Sequence, residues 1–228
     1  MATRLYFNES RNAAIDIGVA VGSQWEEDIG AGVWPTKRAQ TSTDGNSNVS
    51  HLTSTLGTGT NPTDVLFGQF LTDTLPSGVI ISGTVVGVMC CREGSLTDNL
   101  FTQLGLYVVD SAGALVATLL NGVNTGGTEY NGPSANTRAL PRGGSVAISS
   151  YTTVNATSRI CIEIGTRTES TKTAATGYMY FGGGTGGDLP SGDGSSNSLT
   201  LSPWIEFSAD IFTPPAGGGA RSQAVMFG

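Results

Sequence analysis

The chain has 228 residues and a formal net charge of −7, with 33 Gly, 52 Ser and Thr, and only 13% charged residues. This composition excludes a coiled coil, which needs Ala, Glu, Lys, Leu and Arg in excess, and collagen, because the glycines have no period of three. A nucleic-acid partner is not expected: duplex affinity comes from neutralised phosphates, and the basic residues here are few and scattered. An all-β fold remains, since Thr and Val favour strands while Gly, Asn and Ser favour turns.

Residues 3–7 (TRLYF) read as a first strand. The opening MATRLYFNES lacks the apolar stretch of roughly 7–15 residues that marks a secretory signal. No run approaches the about 18 apolar residues of a membrane span, so no membrane partner is expected. Residues 12–62 alternate short apolar runs with turn chemistry such as DGNSN (44–48), and 36–43 resemble an exposed strand. Residues 1–63 are therefore expected to form an irregular N-terminal extension.

The strong core begins at Asp64. DVLFGQFLTDTL (64–75) reads as a strand with large apolar residues on both faces, and VIISGTVVGVMCCRE (79–93) as a long one. Gly83 and Gly87 within it mark a bend or leave room for a bulky neighbour. LFTQLGLYVVD (100–110) and LVATLL (115–120) form a hairpin across a tight Gly-containing turn. A polar loop (121–136) follows, then short strands at 137–140 and 145–149. In RICIEIG (159–165), Ile160, Ile162 and Ile164 face one way, and Arg159, Cys161 and Glu163 the other. YMYFG (178–182) and SPWIEFSADIF (202–212) complete the set around a Gly/Ser/Asp loop at 183–198. These short strands predict a two-sheet antiparallel β-sandwich, jelly-roll-like, over 1–212.

Residues 213–228 (TPPAGGGARSQAVMFG) differ. A Pro pair and a Gly run lead to an apolar tip, Ala224, Val225, Met226 and Phe227. This reads as an extended C-terminal arm whose tip docks on a neighbour by strand addition.

The chemistry-bearing residues are sparse. Nothing marks a catalytic site: there is no G-x-S-x-G, and the one His, His51, lies in a Thr/Ser-rich stretch. Cys90 and Cys91 point to opposite faces of one strand. With Cys161 they read as buried reduced thiols, without the spacing of a metal site. Glu163 and Glu206 sit mid-strand beside core residues, each expected to meet Arg92, Arg159 or solvent. Asp188 and Asp193 in GGDLPSGDG are a weak calcium candidate, with an Asx-type turn as the plainer reading. GGGTGG follows a strand, but no helix or Lys comes after it, so no phosphate cofactor is expected. Trp25 and Trp34 are candidate sugar-stacking platforms. With Trp204 they are set against the commoner burial of Trp in a core.

The MATRLYF start, the Phe67-x-Gln69-Phe70 strand, Ser82-Gly83-Thr84, Asp98-Asn99 and the Pro203-Trp204…Glu206 ending together resemble uncharacterised virion structural proteins of tailed bacteriophages. The resemblance covers the chain to about residue 208. It implies a non-enzymatic virion protein assembled in the host cytoplasm. Its expected partners are copies of itself and other virion proteins, either the major capsid protein or tail and neck proteins. Capsid decoration, or cement, is the favoured role. A tail or neck attachment protein, or a receptor- or carbohydrate-binding fibre module, is the alternative.

Overall fold

A computed structural model describes residues 2–28, 35–42, 51–56, 63–121, 125–130, 132, 134–169, 175–182, 187–194 and 199–213. Fifteen strands run along them in chain order: β1 (Thr3–Asn12), β2 (Glu27–Asp28), β3 (Lys37–Gln40), β4 (His51–Leu56), β5 (Asp64–Leu71), β6 (Ile80–Ile81), β7 (Thr84–Glu93), β8 (Leu100–Val109), β9 (Leu115–Leu120), β10 (Asn136–Ala139), β11 (Val146–Ala147), β12 (Tyr151–Thr152), β13 (Arg159–Thr168), β14 (Ala175–Tyr180) and β15 (Trp204–Phe207). The all-β sandwich expected from the sequence is what forms.

Its two layers are halves of one hydrogen-bonded sheet, in the order β4-β14-β7-β15-β1-β3-β5-β13-β8-β9, with β10 and β11 on the second edge of β7. The small β12-β6 ladder stands apart. The halves join at a parallel seam of two residue pairs, Lys37↔Phe70 and Arg38↔Leu71. β2 also runs parallel to β5, so the sheet is mixed rather than purely antiparallel. Beyond the seam the sheet folds back on itself. Phe7 on β1 and Phe181 after β14 both pack on Phe70 of β5, with ring centroids 4.9 and 5.2 Å away. On the far side Thr102 on β8 donates to the Ala139 carbonyl on β10 at 2.8 Å, tying the layers a second time.

Alternation decides what lies between the layers. Ile160, Ile162 and Ile164 of β13 join Leu104, Leu106 and Val108 of β8, Val85 and Met89 of β7, and Ile205 and Phe207 of β15 in one core. Side chains on the opposite faces are buried too. Cys161, Leu71, Tyr107 and Val109 are covered by Ala13, Ile15, Ile17 and Val21. Val88, Cys90 and Trp204 are covered by Leu189, Leu199 and Leu201. Each layer thus carries a loop on its outer side, which explains why β5 is buried along its whole length. Cys90 and Cys91 do face opposite ways, and all three cysteines are buried and free.

The N-terminal segment departs from expectation. Its first strand is no part of an irregular extension: β1 pairs with β15 on one side and β3 on the other, in the middle of the sheet. The tail from 214 onward, including Ala224 to Phe227, lies outside the described residues.

The long strand predicted over 79–93 is broken at Gly83, whose φ of 92° is open to glycine and strained for other residues. Gly87 has a different task. A Cβ there would lie 2.9 Å from Ile205 Cα and 3.0 Å from the Leu140 carbonyl, and closer still to that of Trp204. Gly87→Ala should cost about 2 kcal/mol by overpacking. Urea denaturation should show a lower midpoint at unchanged slope.

Candidate functional site

Glu163 is the most chemically loaded side chain of the fold. It stands on the outer face of β13, fully buried, because the 13–25 loop closes over it. Its carboxylate accepts hydrogen bonds from Val21 N (2.5 Å), Gly22 N (3.0 Å), Trp25 Nε1 (2.6 Å) and Gln69 Nε2 (2.8 Å). Burial pushes its pKa up, and the four donors oppose that shift. Gln69 also donates to the Val19 carbonyl at 2.7 Å. Its Oε1 lies 3.0 Å from the Thr36 hydroxyl, which in turn lies 3.1 Å from Asp16 Oδ1. The network therefore reaches the loop from both ends. The expected arginine partners are replaced: Arg159 donates to the Thr72 carbonyl, and Arg92 lies over the Tyr178 ring. The arrangement holds a loop. A carboxylate with four fixed donors and no solvent is a poor acid or base for a substrate.

Glu206 belongs to a separate cluster. Arg4 Nε donates to it at 2.9 Å, and Arg4 Nη1 reaches Asp188 at 2.6 Å while its guanidinium lies 3.9 Å from the Trp204 ring centroid. Tyr6 donates to the same Asp188 oxygen at 3.1 Å. Glu163 and Glu206 thus have unconnected partner sets and do not form a carboxylate pair.

The calcium candidates are likewise held by the protein. Asp188 takes Arg4 and Tyr6. Asp193 accepts Thr128 N at 3.1 Å and Ala139 N at 2.8 Å, pinning the loop to β10. An arginine on one carboxylate and backbone N–H groups on the other are donors, which a cation would have to displace.

Of the sugar-stacking candidates, Trp25 is half-buried, its N–H committed to Glu163 and its ring seated where a Gly165 side chain would stand. Trp204 is buried and donates to the Leu189 carbonyl at 2.9 Å. Trp34 lies outside the described residues. A cleft of about 220 Å³ lies between Asn12, Arg38, Asp73 and Arg159, but Asp73 already pairs with Arg38 at 2.7 Å. It is smaller than the roughly 300–1,000 Å³ of ordinary ligand pockets.

One acid escaped sequence reasoning. Glu93, at the end of β7, is 1% exposed. It accepts from Leu100 N at 3.2 Å, and the Gly132 backbone N–H is a second donor to the carboxylate. Burial, with the neighbouring Glu129 and Asp98 charges added, pushes its pKa up to about 7. A charged residue ending an apolar strand was the only signal in the sequence, and it equally fits a strand reaching solvent.

The class this fold defines is an all-β sandwich with a loop over each outer face. No protein-family model and no curated protein sequence matches the chain. Among solved structures, an infectious bursal disease virus particle (Gx strain) is similar at 11% identity and TM-score 0.34, over 71% of this chain and 34% of that one. The VP2 subviral particle of the same virus gives 11% and 0.33, over 74% and 38%. A CocE/NonD family hydrolase from Staphylococcus aureus gives 8% and 0.28, over 93% and 35%. The chain therefore spans about a third of the length of the structures it matches. At these scores the likenesses do not bear on function.

Two outcomes follow from the buried acids. Glu163→Ala strands four donors and should cost about 3 kcal/mol or more. Amide exchange at Val21 and Gly22 should rise before that of β13. Glu163→Gln turns an N–H₂ toward N–H donors, so it should also destabilise, by about 1–3 kcal/mol. For Glu93 the sign is opposite to that of an ordinary salt-bridged acid. The folded state holds a proton between the ordinary 4.5 and about 7. Its stabilisation is therefore complete below pH 4.5 and lost as the pH rises through 7, by up to about 3 kcal/mol. Glu93→Gln keeps an acceptor for Leu100 N and should flatten the stability–pH curve between pH 5 and 8 by that amount.

Proposed function

We propose that this chain is a non-enzymatic structural protein of a tailed-bacteriophage virion, attached to the capsid surface as a decoration or cement protein. The observation that carries the reading is how the chemistry-bearing side chains are used. Glu163 ties down one covering loop, and Asp188 and Asp193 tie down the other. Such a molecule presents a rigid surface rather than a reaction centre. The virion motifs point the same way: Gln69 and Trp204, both among them, are fold-holding residues here.

Attachment through many weak, symmetry-repeated contacts suits a sandwich of this kind. The proposed partners are the major capsid protein and further copies of this chain, engaged through Ala224, Val225, Met226 and Phe227. The chain would then be found in the virion, after assembly in the host cytoplasm.

Quantification of the chain in purified particles tests the reading. On the order of 100 copies is expected from icosahedral repetition. About three to twelve copies would place it at the neck or tail, and absence from particles would overturn the virion role. Removing residues 213–228 should weaken assembly, read as lower occupancy on particles. Glycan-array binding that depends on Trp25 would favour a receptor-binding module instead.

A further inference from the structure

Among the described residues no strand pairs with the outer side of β9, at the end of the sheet. β9 pairs with β8 along its inner edge, from Leu106↔Leu120 to Val109↔Leu115. On its outer edge the Leu119 carbonyl accepts Ser149 N at 2.8 Å. Among the described residues no strand lies along 115–118 beyond it. Leu115 is 52% exposed and Val116 44%.

Exposed sheet edges are normally blunted with charges or proline. The sequence LVATLL has neither. It does have irregularities where the register passes over Val116 and Leu119. These bulges limit the usable edge to a few residues. They disfavour long edge-to-edge pairing between two sandwiches, while a short segment can still add.

The chain itself contains a segment of that size and chemistry. Past Thr213, the last described residue, Ala224 to Phe227 are four consecutive apolar residues, and Arg221 is the one charged side chain from 214 to 228. Ten residues lie between Thr213 and Ala224, a reach of up to about 40 Å over the extended connection, enough to cross to an adjacent molecule. Two chains of net charge −7 repel, so the contact that joins them should avoid acids on both sides. The β9 edge and the 224–227 tip both do.

We propose that the outer edge of β9 at Leu115–Thr118 receives Ala224–Phe227 of a second copy of this chain as an added strand. This rests on the reading of the chain as a self-assembling structural protein. Alternation along the added strand sets Val225 and Phe227 on one face, and Ala224 and Met226 on the other. The exposed Leu115 and Val116 then gain apolar neighbours on both faces.

The test uses two full-length single variants, Val116→Cys and Val225→Cys, purified separately, mixed and oxidised. Cys90, Cys91 and Cys161 are buried and do not compete. The expected result is a disulfide-linked dimer in the mixture at several times the yield of either variant alone. No excess in the mixture overturns the proposal. So does a double variant that cross-links only within one chain, because the tip then docks on its own molecule. Sedimentation separates this failure from failure of the functional reading. The full chain should associate, and both Val116→Lys and removal of 214–228 should weaken association at least tenfold, with folding of Val116→Lys checked by its thermal transition. If removal weakens association and Val116→Lys does not, the tip docks elsewhere and only the β9 site falls. If removal has no effect, the self-assembly reading of the tail falls with it.

Discussion

A carboxylate taken out of water must be given donors, and Glu163 organises much of this molecule around that requirement. Four N–H groups converge on it, from the 13–25 loop and from β5. An uncompensated charge at that depth would cost several kcal/mol, so loop and sheet are not independently stable elements. The loop supplies what the carboxylate needs. The carboxylate in turn anchors the loop through the Val21 and Gly22 backbone and the Trp25 indole. Ile15, Ile17 and Val21 then cover the outer face of β13 and β8.

The other layer solves the same problem with different chemistry. There Leu189, Leu199 and Leu201 lie over Val88, Cys90 and Trp204, and ion pairs through Arg4 and Asp188 fasten the segment. That cluster is partly exposed, so salt screens it more than the Glu163 site. The two covers therefore differ in their sensitivities. One responds to loss of a buried donor set, the other to ionic strength.

Most of the framework was legible in the sequence. β5, β7, β8 and β13 announced themselves by apolar runs and alternation, and the bend at Gly83 by a glycine inside such a run. The opposite facing of Cys90 and Cys91 followed from the pleat alone. What could not be read was partnership over distance. Glu163 finds its donors in Val21, Gly22 and Trp25, about 140 residues away, and Arg4 meets Asp188 184 residues on. Alternation says that Glu163 leaves the core face, but not that a loop waits there. Tyr130 shows the converse limit: it lies in a stretch whose composition reads as exposed loop, yet it is fully buried. The polar Gln69 inside the apolar DVLFGQFL was a usable hint, because a buried amide in a strand needs a polar partner across the sheet.

The position of β15 has a consequence for how the molecule comes into being. Thr3 pairs with Phe207 and Tyr6 with Trp204, so the first strand made waits for the last. Until residues 204–207 leave the ribosome, β1 and β7 each lack a neighbour they have in the finished sheet. Contacts of such span make folding slow, and they leave apolar edges open during synthesis. The sheet is thus completed only once residues 204–207 have been made. A truncated product ending before β15 would carry two unpaired edges, rather than a smaller version of the same sandwich.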